Sequence, residues 1–166
     1  MKLNLGCGIK KIEGYLNIDG IEAVHPDMLC DLEKPLPFES ESIDEILCDN
    51  VLEHIEDTVS FMKEIHRIAK KDARIIIRVP YYRAKTAYSD ITHKHFFTEN
   101  TFRYFTEEFY KDVDFKYQLP MFHIIKQSLK THGVWGWLVW LIPLEIWREV
   151  WGFLIGEIEV ELIKQD

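Results

Sequence analysis

The chain opens on a short apolar run that feeds a glycine turn, Leu3-Asn4-Leu5-Gly6-Cys7-Gly8, and an acid, Asp19, follows eleven residues after Gly8. A strand that ends in Gly-x-Gly presents backbone N–H groups to a ligand at the edge of a parallel sheet. An acid at the tip of the next strand holds ribose hydroxyls. Taken alone, Gly-x-Gly is equally a tight turn that needs positive φ. The dinucleotide fingerprint adds a third glycine and places its acid about twenty residues on. Here Ile9-Lys10-Lys11 follow Gly8, and barely any room is left for a helix before Asp19. Both departures count against a nicotinamide site.

The length of 166 residues suits one domain with a real core and is too short for two. With 47% apolar and 29% charged residues the chain reads as globular. A net charge of −8 without a long basic run disfavours a nucleic-acid partner. Cys7, Cys30 and Cys48 are odd in number and widely spaced, which suits reduced thiols in a cytosolic protein better than a disulfide frame or a zinc site. Met1-Lys2-Leu3 leads directly into strand-like sequence, so no signal peptide is expected and the location reads as cytoplasmic.

Strands are predicted at Lys2–Leu5, Tyr15–Asp19, Met28–Asp31, Ser42–Cys48 and Arg74–Val79, with Pro35-Leu36-Pro37-Phe38 as a rigid extended connector. A helix capped by Asp57 or Thr58 is expected to run to about Lys71, with Lys70-Lys71 at its negative end. Thr98 reads as the cap of a further helix carrying Phe102, Phe105 and Phe109. Val113–Phe122 and the alternating Glu157–Lys164 read as the last two strands, the final one suited to antiparallel pairing. Strands alternating with connections argue for an α/β parallel sheet.

The ordered set Leu3–Gly8, Gly14-Tyr15-Leu16-Asn17-Ile18-Asp19, Cys30-Asp31-Leu32, Leu36-Pro37-Phe38, Ser42–Ile46 and Val51-Leu52-Glu53-His54 resembles the class I S-adenosylmethionine-dependent methyltransferases, in their compact type 11-like branch. The resemblance is strong over residues 2–82 and loose over 83–126. It implies a Rossmann-like sheet, mostly parallel with an antiparallel last strand and a shortened first connection, in a single domain spanning 1–166. It also implies that the S-adenosylmethionine loop is Leu5, Gly6, Cys7 and Gly8. Asp19, beside Gly20, would take both ribose hydroxyls, as an ionised carboxylate does well. Asp31 and Leu32 would meet the adenine. Asp49 and Asn50 would face the crevice and receive the cofactor's ammonium or the substrate.

Glu53-His54 is the family's Leu-Glu-His element. His54 either shapes the pocket or braces the next helix, with bracing favoured. Metal binding is the poorer idea, because Thr58 rather than a histidine stands four residues on. Asp90-Ile91-Thr92-His93-Lys94-His95-Phe96-Phe97-Thr98 resembles the element that lies over the substrate side in this family. Methyl transfer is a displacement at an already activated sulfonium, so the protein mainly positions the acceptor. Where an oxygen or nitrogen acceptor must lose a proton, His93, His95 or Asp49 are the candidate bases. A metal site from His93, His95 and Asp90 lacks a fourth ligand, so no metal is expected. Tyr81-Tyr82, Tyr88 and Phe96-Phe97 are either ordinary packing or an aromatic wall for the acceptor.

The apolar stretch at about 127–156 reads as a helical cap inserted before the last strand. Its Trp-rich part, 133–151, suits a lid, a homodimer interface or a weak membrane contact, since it is too short to span a bilayer before Pro143. The sequence therefore points to a methyltransferase acting on a small-molecule or glycan-type acceptor. The competing readings are a non-catalytic S-adenosylmethionine-binding module working through a protein partner and, less favoured, a nicotinamide-dependent oxidoreductase.

Overall fold

Alternation of apolar and polar residues along the strands decides the architecture. The computed structural model describes residues 1–110, 119–131 and 155–165. Among the described residues there are seven strands: β1 (Lys2–Leu5), β2 (Leu16–Asp19), β3 (Met28–Leu29), β4 (Ile43–Asp49), β5 (Ala69–Pro80), β6 (Phe122–Thr131) and β7 (Ile155–Lys164). They form one sheet in the order β3-β2-β1-β4-β5-β7-β6. The pairs from β3 to β5 are parallel, and β7 runs antiparallel to both β5 and β6. The expected mostly parallel sheet with an antiparallel final strand is present.

The two sheet faces differ in chemistry. On one, Leu3, Leu5, Ile18, Ile46, Cys48, Ile75, Ile77, Val79, Ile158, Val160 and Leu162 are fully buried. Helix α1 (Thr58–Ile68) contributes Phe61, Met62, Ile65 and Ile68 to the same core, each side chain worth about 2 kcal/mol of burial. The Asp57 carboxylate caps α1 by accepting from the Ser60 amide at 2.9 Å. Arg67 donates to the Leu36 and Phe38 carbonyls, which ties the proline-rich connector to α1.

The other face carries a ladder of charges. Arg74 pairs with Glu45 on β4 and Glu161 on β7, and Arg78 pairs with Asp49 and Glu159. Lys130 on β6 reaches the same Glu159 at 2.7 Å. Parallel strands covered on both faces read as continuous apolar runs. Here they alternate because one face is lined with polar groups.

Several expectations are corrected. Helix α1 stops at Ile68, since Ala69 turns extended and pairs with Ile43, so Lys70 and Lys71 begin β5 instead of ending the helix. The segment after Thr98 is a 3-10 turn at Thr101–Phe105 followed by a short helix broken off at Thr106, whose hydroxyl and amide both return to the Arg103 carbonyl. Of the strand expected at Val113–Phe122, residues 113–118 lie outside the described residues, 119–121 are not strand, and β6 begins at Phe122. The predicted cap at 127–156 begins and ends inside β6 and β7. Its remainder, with the whole Trp-rich stretch 133–151, lies outside the described residues. Among the described residues no helix is long and apolar enough to cross a membrane.

Candidate active site

The carboxyl ends of β1, β2 and β4 bring most of the predicted cofactor residues together. Leu5 sits in register with Ile18 and Cys48, so the loop leaving β1 emerges between the ends of β2 and β4. Gly6 and Gly8 have φ of 63° and 50°. At Gly6 glycine is required twice over: a Cβ there would lie 2.5 Å from Val51 Cγ2.

No helix separates β1 from β2. The loop is instead held by the buried Asn4 and Asn17 side chains. Asn4 Nδ2 donates to Asn17 Oδ1 at 2.9 Å and to the Lys10 carbonyl at 3.0 Å, and the Ile12 amide donates to Asn17 Oδ1 at 2.8 Å. Asp27 accepts from the Asn17 amide and side chain and pairs with Lys11, and these bonds hold its carboxyl down at about 2.

Asp19 is 8% exposed. Its Oδ2 accepts from the Gly8 amide at 2.8 Å and its Oδ1 from the Ile21 amide at 2.9 Å. Each carboxylate oxygen keeps a further lone pair for a hydroxyl donor. Cys7 is buried, and burial followed by the Asp19 charge pushes its thiol up, so it is a packed thiol and not a nucleophile. Gly20 passes the Cys30 carbonyl, to which an added Cβ would come within 3.6 Å. Asp31 is exposed, accepts from the Glu33 amide and pairs with Lys34, which holds its carboxyl low. Leu32 packs against the core. Asp49 pairs with Arg78 and with Lys10 of the glycine loop. Asn50 follows in the left-handed region at φ 57°.

Beside Asn50 opens a cavity of about 640 Å³, lined by Glu53, His54, Pro80, Asp90, Ile91, His93 and Glu157 among others. Two segments build it. The turn Val51–Ile55 is anchored by buried Val51, Leu52 and Ile55. The Glu53 carbonyl accepts from the Lys94 and His95 amides, stitching the Asp90–Phe97 segment to that turn. His54 Nδ1 lies 3.0 Å from Thr92 Oγ1, and that hydroxyl donates to Asp90 Oδ1 at 2.6 Å. His54 therefore braces the neighbouring loop, whereas the sequence suggested the next helix.

The two candidate base histidines part company. His93 lines the cavity, packs edge-on against His54 at 4.8 Å and points Nδ1 at the Ala87 carbonyl. His95 turns away and points Nε2 at the Glu56 carbonyl. Asp49 is engaged by its two cations. The aromatic set divides too: Tyr81 and Phe97 are core, whereas Tyr88 and Phe96 stack on each other at 4.6 Å and are 62% and 48% exposed.

The residue that sequence reasoning missed as a site residue is Glu53. It is 1% exposed, and neither carboxylate oxygen has a hydrogen-bond partner among the described residues. Burial, with Asp49, Glu157 and Asp90 adding to it, pushes its carboxyl up to about 7. The available signal was an acid set among apolar Val51, Leu52 and Ile55, each of which is buried.

Residues 8–77 match the family model described as a methyltransferase domain. The matched stretch runs from the glycine loop into β5, and over it the chain is similar to that family. Its fold is that of several solved structures, S-adenosylmethionine-dependent methyltransferases among them. The YcgJ protein from Bacillus subtilis is 13% identical with a TM-score of 0.63, covering 99% of this chain and 92% of its own. An S-adenosylmethionine-dependent methyltransferase from Mesorhizobium loti is 16% identical, with a TM-score of 0.61 and coverage of 98% and 90%. Another from Archaeoglobus fulgidus is 15% identical, with a TM-score of 0.61 and coverage of 98% and 85%. A search of curated proteins finds no match.

Proposed function

We propose that the protein moves the methyl group of S-adenosylmethionine to a hydroxyl or amine of a small-molecule or glycan-type acceptor seated in the Glu53–His93 cavity. The carrying observation is that the cavity and the cofactor edge meet at Asn50, which lines the first and directly follows β4 in the second. Leu5, Gly6, Cys7 and Gly8 would pass the methionine portion. Asp19 with Gly20 would take the ribose, Asp31 and Leu32 the adenine, and Asp49 and Asn50 the ammonium. The residues present suit that group: Asp19 keeps free lone pairs, and the Gly8 position leaves open space where a Cβ would stand.

S-adenosylmethionine supplies an activated methyl group when bound. The chain's own residues position the acceptor and shed its proton. Of the three candidate bases, only His93 lines the cavity, and its Nδ1 proton on the Ala87 carbonyl leaves Nε2 as the basic nitrogen. Exposed Ile91, Tyr88 and Phe96 offer an apolar flank suited to a ring face. Any homodimer or weak membrane contact would fall to the Trp-rich stretch 133–151, and liposome flotation reads the second.

S-adenosylhomocysteine is expected to raise the melting temperature where NAD does not. A shift by NAD alone overturns the reading. Methyl turnover against a panel of hydroxyl and amine acceptors tests the catalytic half. Tight cofactor binding with no transfer to any acceptor would leave a binding module.

A further inference from the structure

Glu53 is a buried carboxylate without a hydrogen-bond partner among the described residues, and it is not alone. One ligand atom each from Glu53, His54 and His93 lie within 4.8 Å of one another on the cavity wall. An ionised carboxylate in that position is costly unless a cation or donor meets it. Among the described residues the cavity lining contributes Asp90 and Glu157 and no lysine or arginine, so their field favours a cation.

The histidines are already set as ligands. The Ala87 carbonyl can only accept, so His93 carries its proton on Nδ1 and leaves an Nε2 lone pair. Thr92 spends its hydroxyl proton on Asp90, so His54 must donate from Nδ1 to Thr92 Oγ1. Its Nε2 is then also a lone pair. Fixing a histidine tautomer through a carbonyl or a carboxylate relay is how metal-binding histidines are oriented. The absence of a histidine four residues after His54 does not bear on this cluster, because His93 arrives from another loop.

From this geometry we infer that Glu53, His54 and His93 bind one divalent transition-metal ion of the zinc class, with its open coordination positions facing the cavity. Two imidazoles and one carboxylate are a donor set for such ions when further positions are left to water or substrate. Ligand atoms around a tetrahedral zinc stand about 3.4 Å apart, so the three side chains close by roughly an ångström on binding. The ion's place beside the acceptor rests on the function proposed above, and where His93 ligates through Nε2 the ion takes over the part given there to the His93 base by acidifying a hydroxyl held on it. The binding itself does not rest on that function.

The test uses the full chain, stripped with chelator and titrated with zinc or cobalt chloride, with calorimetry and the visible absorption of cobalt as readouts. One equivalent should bind with a cobalt spectrum of low coordination number and a rise in melting temperature. Glu53→Gln and His93→Ala should each weaken binding by about 100-fold or more, and Thr92→Val by about 10-fold through the lost orientation of His54. All three variants should keep the melting shift with S-adenosylhomocysteine, which shows that they are folded and that the cofactor reading stands independently. Absence of saturable binding by the folded wild-type chain overturns the inference, as does binding that Glu53→Gln leaves unchanged.

Discussion

Two buried acids, Asp19 at the end of β2 and Glu53 just after β4, have been treated oppositely by the chain. Asp19 meets two backbone amides, one on each oxygen. Glu53 is more deeply buried and meets no donor among the described residues. The first acid therefore has a structural task complete before any ligand arrives, and its spare lone pairs are an addition to it. The second has no structural task that its carboxylate performs, since only its backbone carbonyl stitches the loops together. A satisfied acid stabilises its surroundings, and an orphaned one costs stability until a ligand comes.

That contrast is open to direct attack. The largest effect is expected from Asp19→Ala. It strips the Gly8 and Ile21 amides of their acceptor and removes the charge offered to the ribose. S-adenosylhomocysteine binding should weaken by about 100-fold or more, and the free protein should lose roughly 2 kcal/mol. Isothermal titration and chemical denaturation measure the two losses, and an intact melting shift would sink the role given to Asp19.

Gly6→Ala comes next and couples the two sides. Its Cβ would press on Val51, two residues before Glu53, in a backbone region that already disfavours a side chain. A loss of about 2–3 kcal/mol is expected, whereas Gly8→Ala meets open space and should cost only about 1 kcal/mol of backbone strain. Equal losses at the two glycines would show that the contact with Val51 is unimportant.

Glu53→Gln should act with the opposite sign to Asp19→Ala. In metal-stripped protein at pH 8 it removes a buried, unpaired charge, so stability should rise by about 1–2 kcal/mol and the melting temperature by several degrees. If the variant is instead less stable, the orphaned carboxylate has a partner after all and the comparison fails.

The smallest effect lies away from the crevice. Lys130 and Arg78 hold Glu159 down at about 2. A carboxyl held below its ordinary range contributes stability above that range and loses it as pH falls towards 2. Acid unfolding of Glu159→Gln should therefore show a weaker pH dependence between about pH 4.5 and 2 than the wild type. Identical acid profiles would remove Glu159 from the account.

How much of this was legible in the sequence depends on where the determining contacts lie. The candidate cofactor edge was readable as a structure because it is local: glycines at a strand end, an acid at the next strand end, and alternating apolar residues between them. Its missing helix showed as a short gap, but the Asn4–Asn17 pair that replaces the helix did not, since an asparagine pair across two strands has no periodic signature. Helix α1 was over-extended because Ala69-Lys70-Lys71 has good helix propensity, and pairing of Ala69 with Ile43 overrides it. Glu53 was read as part of a family element, and the meeting of His54 with His93, 39 residues on, depends on a loop whose path no spacing rule gives. His93 and His95 seemed equivalent as alternating residues of an extended stretch. The bond from the His93 amide to the Asp90 carbonyl makes it a turn, and the two rings diverge.

The Asn4–Asn17 clasp has a consequence for how the cofactor is met. Residues 6–15 are fastened by it, by the Asp27 bonds and by the tyrosine–carboxylate contact of Tyr15 with Glu45. Their conformational entropy is surrendered when the chain folds, not when the cofactor arrives. On the function proposed above, the backbone donors of this loop stand in place before S-adenosylmethionine arrives, and association at this edge would be a docking of two finished shapes.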